Sequence, residues 1–583
     1  MRGAKLIVAV CGVLLAVALF SPTALAIGGP ANWMYEPTTF TEVHLTLPPA
    51  SIAALEAEPK EYVKGEFSLA ETDGTPGTAG SFSTPLTVGI ELKGNLGSLR
   101  SIHQKAAFKI KFNKFVKGQS FLGLEKMTLN NMVQDPSMIH EATTYQAFHE
   151  MGAPAPHVGY TYLTVNGESY GVHLNIETQD VQSVENAFGT PFASPQHLYE
   201  GEYSADVTNQ AWHGTAIKSW EAIEVSEGEE EEKEDLEALV TAVEAPSPPF
   251  AERVASVADL AEMTKDWLVE KYVGNWDGYA GGYADYYHPN NYYLYSDSSG
   301  RFQMMPWGTD QTWQGGQHLN FENGGGILFS DCVADTAGCR QTYLAAGREA
   351  LDALDATTLD TVARCAAAAL MPWQELEADI SEQEKLPDPS IDGEETLQRA
   401  AGEVSATRAF IASRPQELAE FLGEPTPPPR TTEPVCPPLR TIPASGSGAG
   451  PADRPGGSTV NATVPAGPAV PAPQPRLGWG RSFHPAHLPG AIPIRLEVPG
   501  PGRLILHGSY GKDASTACRA TTEVAAAQEV TVACRLAGPF ASLLARRWRR
   551  VRLDARFMSA AGGVEAIARS LELRRWPTHP SSS

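Results

Sequence analysis

Between Gly274 and Trp313 the chain reads GNWDGYAGGYADYYHPNNYYLYSDSSGRFQMMPWGTDQTW. Three residues in this stretch, Asp277, Asn291 and Asp310, suit metal and phosphate chemistry. A carboxylate can take the proton of a hydroxyl, and an Asn/Asp pair can hold a hard cation, the parts that phosphoryl transfer needs. The run Asn291–Tyr295 alternates as a strand and Arg301–Met305 as its partner, with Asp297-Ser-Ser-Gly300 supplying the turn. Asn291 then stands at the start of a hairpin and Asp310 just past its end, so both can meet one point. Asp277, on the preceding loop, can reach the same place.

The elements around this segment follow from hydrophobic period and punctuation. Phe40–Leu47, Leu86–Lys93 and Ala107–Phe112 read as strands; in the third, Phe108, Ile110 and Phe112 share one face and Lys109 and Lys111 the other. Gly94-Asn-Leu-Gly97-Ser98 is a turn with exposed backbone amides. Asp135 reads as the N-cap of a helix that runs to about Met151, with Pro136 in its first turn and Gly152 at its end. Tyr160–Val165 and Ser169–Ile176 form a hairpin across Asn166-Gly167. Helices are expected over 234–244, 257–272, 341–354, 359–370 and 394–421.

Residues 1–26 have the pattern of an export signal: Arg2 and Lys5, an apolar run from Leu6 to Phe20, and Ala24-Leu25-Ala26 as a cleavage site. No later stretch could cross a bilayer, so the mature protein is expected to be secreted or held in the cell envelope. The six remaining cysteines, an even count in an oxidising compartment, favour disulfides. Cys332 with Cys339 can close a local loop and Cys518 with Cys534 can staple a hairpin. Acidic residues number 69 against 44 basic, a net charge of −25, which argues against nucleic acid as the main ligand. The acidic run Glu227–Asp235 reads as a solvated loop entering a helix.

The expected organisation is α+β in four parts. A signal peptide (1–26) precedes the main domain (27–422); a Pro/Gly/Ser/Ala-rich, disordered linker (423–481) leads to a small C-terminal β-sandwich (482–583). The sandwich rests on alternating runs at 492–498, 503–508, 529–535, 551–557 and 566–573. Arg546–Arg550 could grip an acidic polymer, though a charged strand edge is the plainer reading.

Read in order, a set of motifs resembles the CotH (spore coat protein H) kinase family. They are Leu92-Lys-Gly-Asn95, Lys105 with Phe108–Phe112, Leu129-Asn-Asn131, Asp135-Pro-Ser-Met138 and Gly152-Ala-Pro-Ala-Pro156. Val165-Asn-Gly167 with Tyr170-Gly171 and Glu177, Asn275-Trp-Asp277, Asn291–Tyr295, and Pro306-Trp307 with Asp310 complete it. The resemblance covers roughly residues 40–420 and implies an atypical protein-kinase-like domain that moves the γ-phosphate of ATP to a hydroxyl, with Mg²⁺ or Mn²⁺. By position, Asp277 is then the catalytic aspartate, and Asn291 and Asp310 hold the metal. Lys105 is the phosphate-pairing lysine beyond the Gly94–Gly97 turn, with Lys93 and Lys109 as alternatives, and Glu141 or Glu177 is that lysine's partner. One departure stands out: many family members read Trp-Asp-x-Asp where this chain has Trp307-Gly308-Thr309-Asp310.

Three functions are consistent with these features. The first is an exported kinase acting on coat or envelope proteins. A second is a surface binding, adhesion or coat-assembly protein on an inactive kinase-like scaffold, and a third a metal-dependent hydrolase or phosphotransferase. Trp276, Trp307 and Trp313 are read as core.

Overall fold

A computed structural model describes residues 30–428 apart from 96, 230–232, 282–288 and 315–319, together with Cys436 and strands between 478 and 573. The expected signal peptide, nearly all of the expected linker and the Gly/Tyr-rich stretch 282–288 lie outside the described residues. The chain divides into two compact units, 1–446 and 447–583.

The first unit begins with seven strands and two helices: β1 (Phe40–Thr46), α1 (Pro49–Ala57), β2 (Val63–Glu71), β3 (Leu86–Lys93), β4 (Ala107–Lys111), β5 (Lys126–Asn130), α2 (His140–Glu150), β6 (Val158–Val165) and β7 (Glu168–Ile176). The strands close into a barrel in the order β1-β2-β3-β4-β5-β7-β6. Alternation decides its inside. Val88, Ile90 and Leu92 of β3 and Phe108 and Ile110 of β4 are buried in the barrel core, leaving Glu91, Lys93 and Lys109 on the outer face. The β6–β7 turn has φ +51° at Asn166 and +81° at Gly167, the conformation that Asn-Gly favours. Asn166 also accepts from Leu47 N (2.8 Å) and donates to Leu47 O (2.9 Å), sealing the seam where β6 runs parallel to β1.

α2 starts later than its sequence suggests. Met138 has φ +61°, which no right-handed helix contains, so Asp135 caps the preceding turn instead. Its carboxylate accepts from Ser137 N (2.9 Å) and His140 N (2.8 Å).

A second sheet has the order β11-β10-β8-β9, preceded by α3 (Val181–Phe188). Its strands are β8 (His197–Gly201), β9 (Ile223–Glu227), β10 (Tyr292–Ser296) and β11 (Phe302–Pro306). The β10–β11 hairpin matches the expected one, with Tyr293 opposite Met305 and Asp297 Oδ1 accepting from Ser299 N and Arg301 N. Helices α4 (Glu234–Glu244), α5 (Phe250–Val254), α6 (Leu260–Val273), α7 (Ile327–Ala334), α8 (Cys339–Ala353), α9 (Ala356–Ile380) and α10 (Gly393–Leu422) complete the unit. Its largest core joins α2, α6, α8 and α9 to this sheet through Phe148, Trp267, Leu294, Tyr343 and Trp373. No helix among the described residues is long and apolar enough to cross a membrane.

Two disulfides tie the unit: Cys332–Cys339, as expected, and Cys365–Cys436, which spans 71 residues. The second closes a long loop. Its loss through Cys365→Ser is expected to cost about 4 kcal/mol, the loop-closure entropy of such a span. Denaturant unfolding of the oxidised protein measures this, and an unchanged midpoint would refute it.

In the second unit seven strands form one antiparallel sheet: β12 (Gly478–Trp479), β13 (Ala491–Val498), β14 (Gly502–Tyr510), β15 (Ser515–Val524), β16 (Gln528–Leu536), β17 (Arg549–Ser559) and β18 (Val564–Leu573). Their order is β12-β13-β16-β15-β14-β17-β18. Where a sandwich was expected, the described strands pair in one continuous order. Alternation specifies strands and faces but not how many layers they make. Buried Leu496, Val498, Leu504, Leu506, Cys534 and Ala555 share a face by register. Cys534 is disulfide-bonded.

Candidate active site

α6 ends at Gly274, whose φ of +69° turns the chain out of the helix. One turn back, the buried Glu270 accepts from Asn275 Nδ2 (3.2 Å), Tyr279 N (3.1 Å) and Ala280 N. A helix-borne carboxylate thereby fixes the loop that carries Asp277. Burial pushes Glu270 up to about 7, with the backbone donors opposing.

Asp277 is met from the other side by the residues entering β10. Asn290 Nδ2 donates to its Oδ1 (3.1 Å), and Asn291 Nδ2 donates to its Oδ2 (2.9 Å) and carbonyl (3.1 Å). Asn291 has φ +48°, a left-handed conformation that Asn adopts more readily than most residues. Burial raises the Asp277 carboxyl above its ordinary value, and the two amides pull it back in part.

Asp310 is held through its backbone. His140 Nδ1 contacts the Asp310 carbonyl at 2.8 Å, so this nitrogen carries a proton, and Nε2 lies 2.9 Å from Thr407 Oγ1. Thr312 Oγ1 donates to Thr309 O (2.8 Å) and lies 2.9 Å from Thr144 Oγ1, which accepts from Trp313 Nε1 (2.8 Å). The segment after β11 is thus pinned to α2. Burial raises Asp310 well above the usual carboxylate range, and Glu141, Asp135 and Asp277 add to the shift while Lys93 opposes it.

Lys93 ends β3 on the outer face of the barrel, its Nζ 5.5 Å from the Trp307 ring centre. Burial holds Lys93 below its ordinary value, and Glu141 and then Asp310 oppose. Glu141, in the first turn of α2, is raised by burial and lowered chiefly by Lys93; it accepts from Asn130 Nδ2 (2.5 Å) and Tyr145 OH (3.3 Å). The Gly94–Ser98 turn follows Lys93 directly, with φ +113° at Gly94 and +82° at Gly97. Leu99 N closes it on Asn95 O (2.9 Å), and Asn131 Nδ2 anchors it through Ser98 O (3.0 Å).

The geometry therefore gathers Asp277, Asn291, Asp310, Glu141 and Lys93, with the glycine turn alongside. Two expected residues stand apart. Lys105 is 1% exposed and ion-paired with the buried Glu377 of α9, not facing the carboxylates of the site. Glu177 accepts from His157 N (3.1 Å) and Nδ1 (2.9 Å) and from Asn186 Nδ2 (3.0 Å). Lys109 pairs in register with Glu91 on the outer barrel face. Sequence reasoning missed Glu270, Asn290 and His140; only Asn290, beside Asn291, left a local signal. Of the tryptophans, Trp313 is core as expected and Trp307 is half-buried beneath Lys93. Gly308 has φ +52°, and a Cβ there would lie 3.0 Å from Asn291 Oδ1, so the missing carboxylate leaves space that Asn291 uses.

A lysine and a glutamate within electrostatic reach of an Asp/Asn/Asp group are residue types that phosphoryl transfer uses. The family described as CotH kinase protein matches residues 90–417, more than half of the chain, and the chain belongs to that family. An inner spore coat protein H-like protein of Bacillus subtilis (strain 168) is 32% identical over 105 residues, 18% of this chain and 32% of its own. Inner spore coat protein H of the same organism is 22% identical over 209 residues, 34% of this chain and 53% of its own. The chain spans from about a third to about half of the length of these curated relatives.

Proposed function

We propose that the chain is an exported atypical protein kinase, with a kinase-like fold, that transfers the γ-phosphate of ATP to hydroxyl groups of coat or envelope proteins. The observation that carries this is the convergence of Asp277, Asn291 and Asp310 with Lys93 and Glu141. Lys93 takes the role that the sequence reading gave to Lys105, binding phosphate oxygens, with the Glu141 carboxylate favouring its charged form.

Asp277 orients the acceptor hydroxyl and takes its proton as the hydroxyl oxygen bonds to the γ-phosphorus. The bond from that phosphorus to the bridging oxygen breaks, and ADP departs with the electron pair. Asn290 and Asn291 fix the carboxylate, and Glu270 fixes the loop beneath it. Among the described residues no three His, Cys, Asp or Glu side chains gather as a metal cage. Asp310, crowded by other carboxylates, and the Asn291 Oδ1 nonetheless fit Mg²⁺ or Mn²⁺, which usually takes one or two protein oxygens and completes its shell with phosphate and water. The ion would neutralise charge that builds on the phosphate oxygens.

The oxidised full chain, given γ-labelled ATP, Mg²⁺ or Mn²⁺ and a Ser-containing acceptor, should label the acceptor, and Asp277→Asn should not. A second reading, a binding or coat-assembly protein on an inactive scaffold, is favoured by Gly308 alone. No labelling, and no nucleotide-dependent rise in melting temperature, would replace the first reading with the second.

A further inference from the structure

We propose that Lys60 is a second phosphate-binding residue of this site, a positioning cation held beside Lys93 by the glycine turn. The inference rests on the reading of the site as a nucleotide site.

Three facts place it there. Lys60 lies between α1 and β2, and Leu92 N donates to Pro59 O (2.8 Å), which seats Lys60 beside the end of β3. Its Nζ donates to Gly94 O, the carbonyl of the residue after Lys93. Lys93 and Lys109 lie on the same outer face of the β3–β4 ladder, Lys109 opposite Glu91 and Lys93 two residues further along. Among the described residues none of these three lysines has a carboxylate within ion-pair distance. Partial loss of hydration at the exposed Lys60, then Lys109 and Lys93, hold it below its ordinary value, with Glu91 and Glu200 opposing.

Carboxylates lie further off, Glu91 and Glu200 acting on Lys60 and Glu141 and Asp310 on Lys93, but on Lys60 the repulsion from Lys109 and Lys93 ranks ahead of both. Clustering like charges costs free energy unless an anion joins them, and a triphosphate is such an anion. Gly94 O occupies one of the three ammonium donors of Lys60 and aims the group; two remain for phosphate oxygens, where the bonds are charge-assisted. Adenosine, lacking phosphate, would gain nothing from Lys60. The backbone that offers this carbonyl requires glycine: Gly94 has φ +113°, and a Cβ would meet Leu99 N at 2.8 Å.

The test is equilibrium binding of a fluorescent ATP analogue and a fluorescent adenosine to the full chain, as wild type, Lys60→Met and Lys60→Arg. Lys60→Met should raise the Kd for the ATP analogue about 10-fold, leave that for adenosine within twofold and flatten the dependence of log Kd on log salt. Lys60→Arg should restore binding to within a few-fold. Lys60 is exposed, so an unchanged melting temperature should accompany these effects. Equal ATP affinity in wild type and Lys60→Met would overturn the proposal while the nucleotide site stands. A wild type that binds neither probe would refute the nucleotide site, and Lys60 with it.

Discussion

Asp310→Asn should lower phosphate transfer by roughly 10²–10³-fold or more, about 3–4 kcal/mol of transition-state stabilisation, and should make the protein more stable. The activity loss follows from removing an oxygen ligand at the point where phosphate charge develops. The stability gain follows from the sign of the perturbation. Burial, then Glu141, Asp135 and Asp277, raise the Asp310 carboxyl, so the folded state binds its proton more tightly than the unfolded chain does. A raised carboxyl costs stability once pH rises above the ordinary carboxylate range, and the cost grows until pH passes the folded-state value. An amide in its place carries none. The fold does not need the carboxylate, because His140 holds the loop by the Asp310 carbonyl and Thr312 by that of Thr309. Thermal unfolding with a chelator present should therefore show a higher midpoint for the variant at neutral pH. A lower midpoint would mean that the carboxylate is structural, and undiminished transfer would remove Asp310 from the site. Such trading of stability for function is common where like charges are gathered for chemistry.

What could be read in advance depended on how local the cause was. The β10–β11 hairpin was legible because Tyr292–Ser296 and Phe302–Pro306 alternate about a Gly300 turn, and the β6–β7 hairpin because Asn-Gly specifies its own conformation. Asp277, Asn291 and Asp310 were legible as a group because that first hairpin brings its two ends together. The closed barrel was not. Its seam joins Leu45 to Val165 and Leu47 to Asn166 across some 120 residues, and alternation names no partner for a strand. β15 was missed because the Thr, Ala and Arg of Ser515–Val524 make no apolar stripe. The late start of α2 came from one residue, Met138, whose φ nothing in its type announces. Lys105 followed the glycine turn at a plausible interval, but the loop after β3 carries it inward to a carboxylate 272 residues away.

That misplacement makes the two lysines separable by experiment. Lys105→Met should destabilise the first unit by roughly 3–5 kcal/mol, since it leaves Glu377 buried without its counter-charge. Both groups of this pair are shifted toward neutrality first by burial, and each is pulled back by the other. Adding Glu377→Gln should recover most of the loss, because the amide oxygen can still accept from Val172 N as Glu377 Oε2 does at 3.0 Å. Folded Lys105→Met protein should transfer phosphate at close to the wild-type rate. Lys93→Met should do the reverse, lowering transfer at least 10²-fold with a far smaller change in the denaturation midpoint. Lys93 is half-buried beside Glu141 and Asp310 rather than sealed against a single partner, so water and the remaining groups can compensate for its loss. The comparison needs only denaturant curves and labelled ATP on the same four proteins. If Lys105→Met kills transfer in protein that remains folded, and Lys93→Met spares it, the phosphate-binding role returns to Lys105 and the arrangement around Glu141 becomes structural.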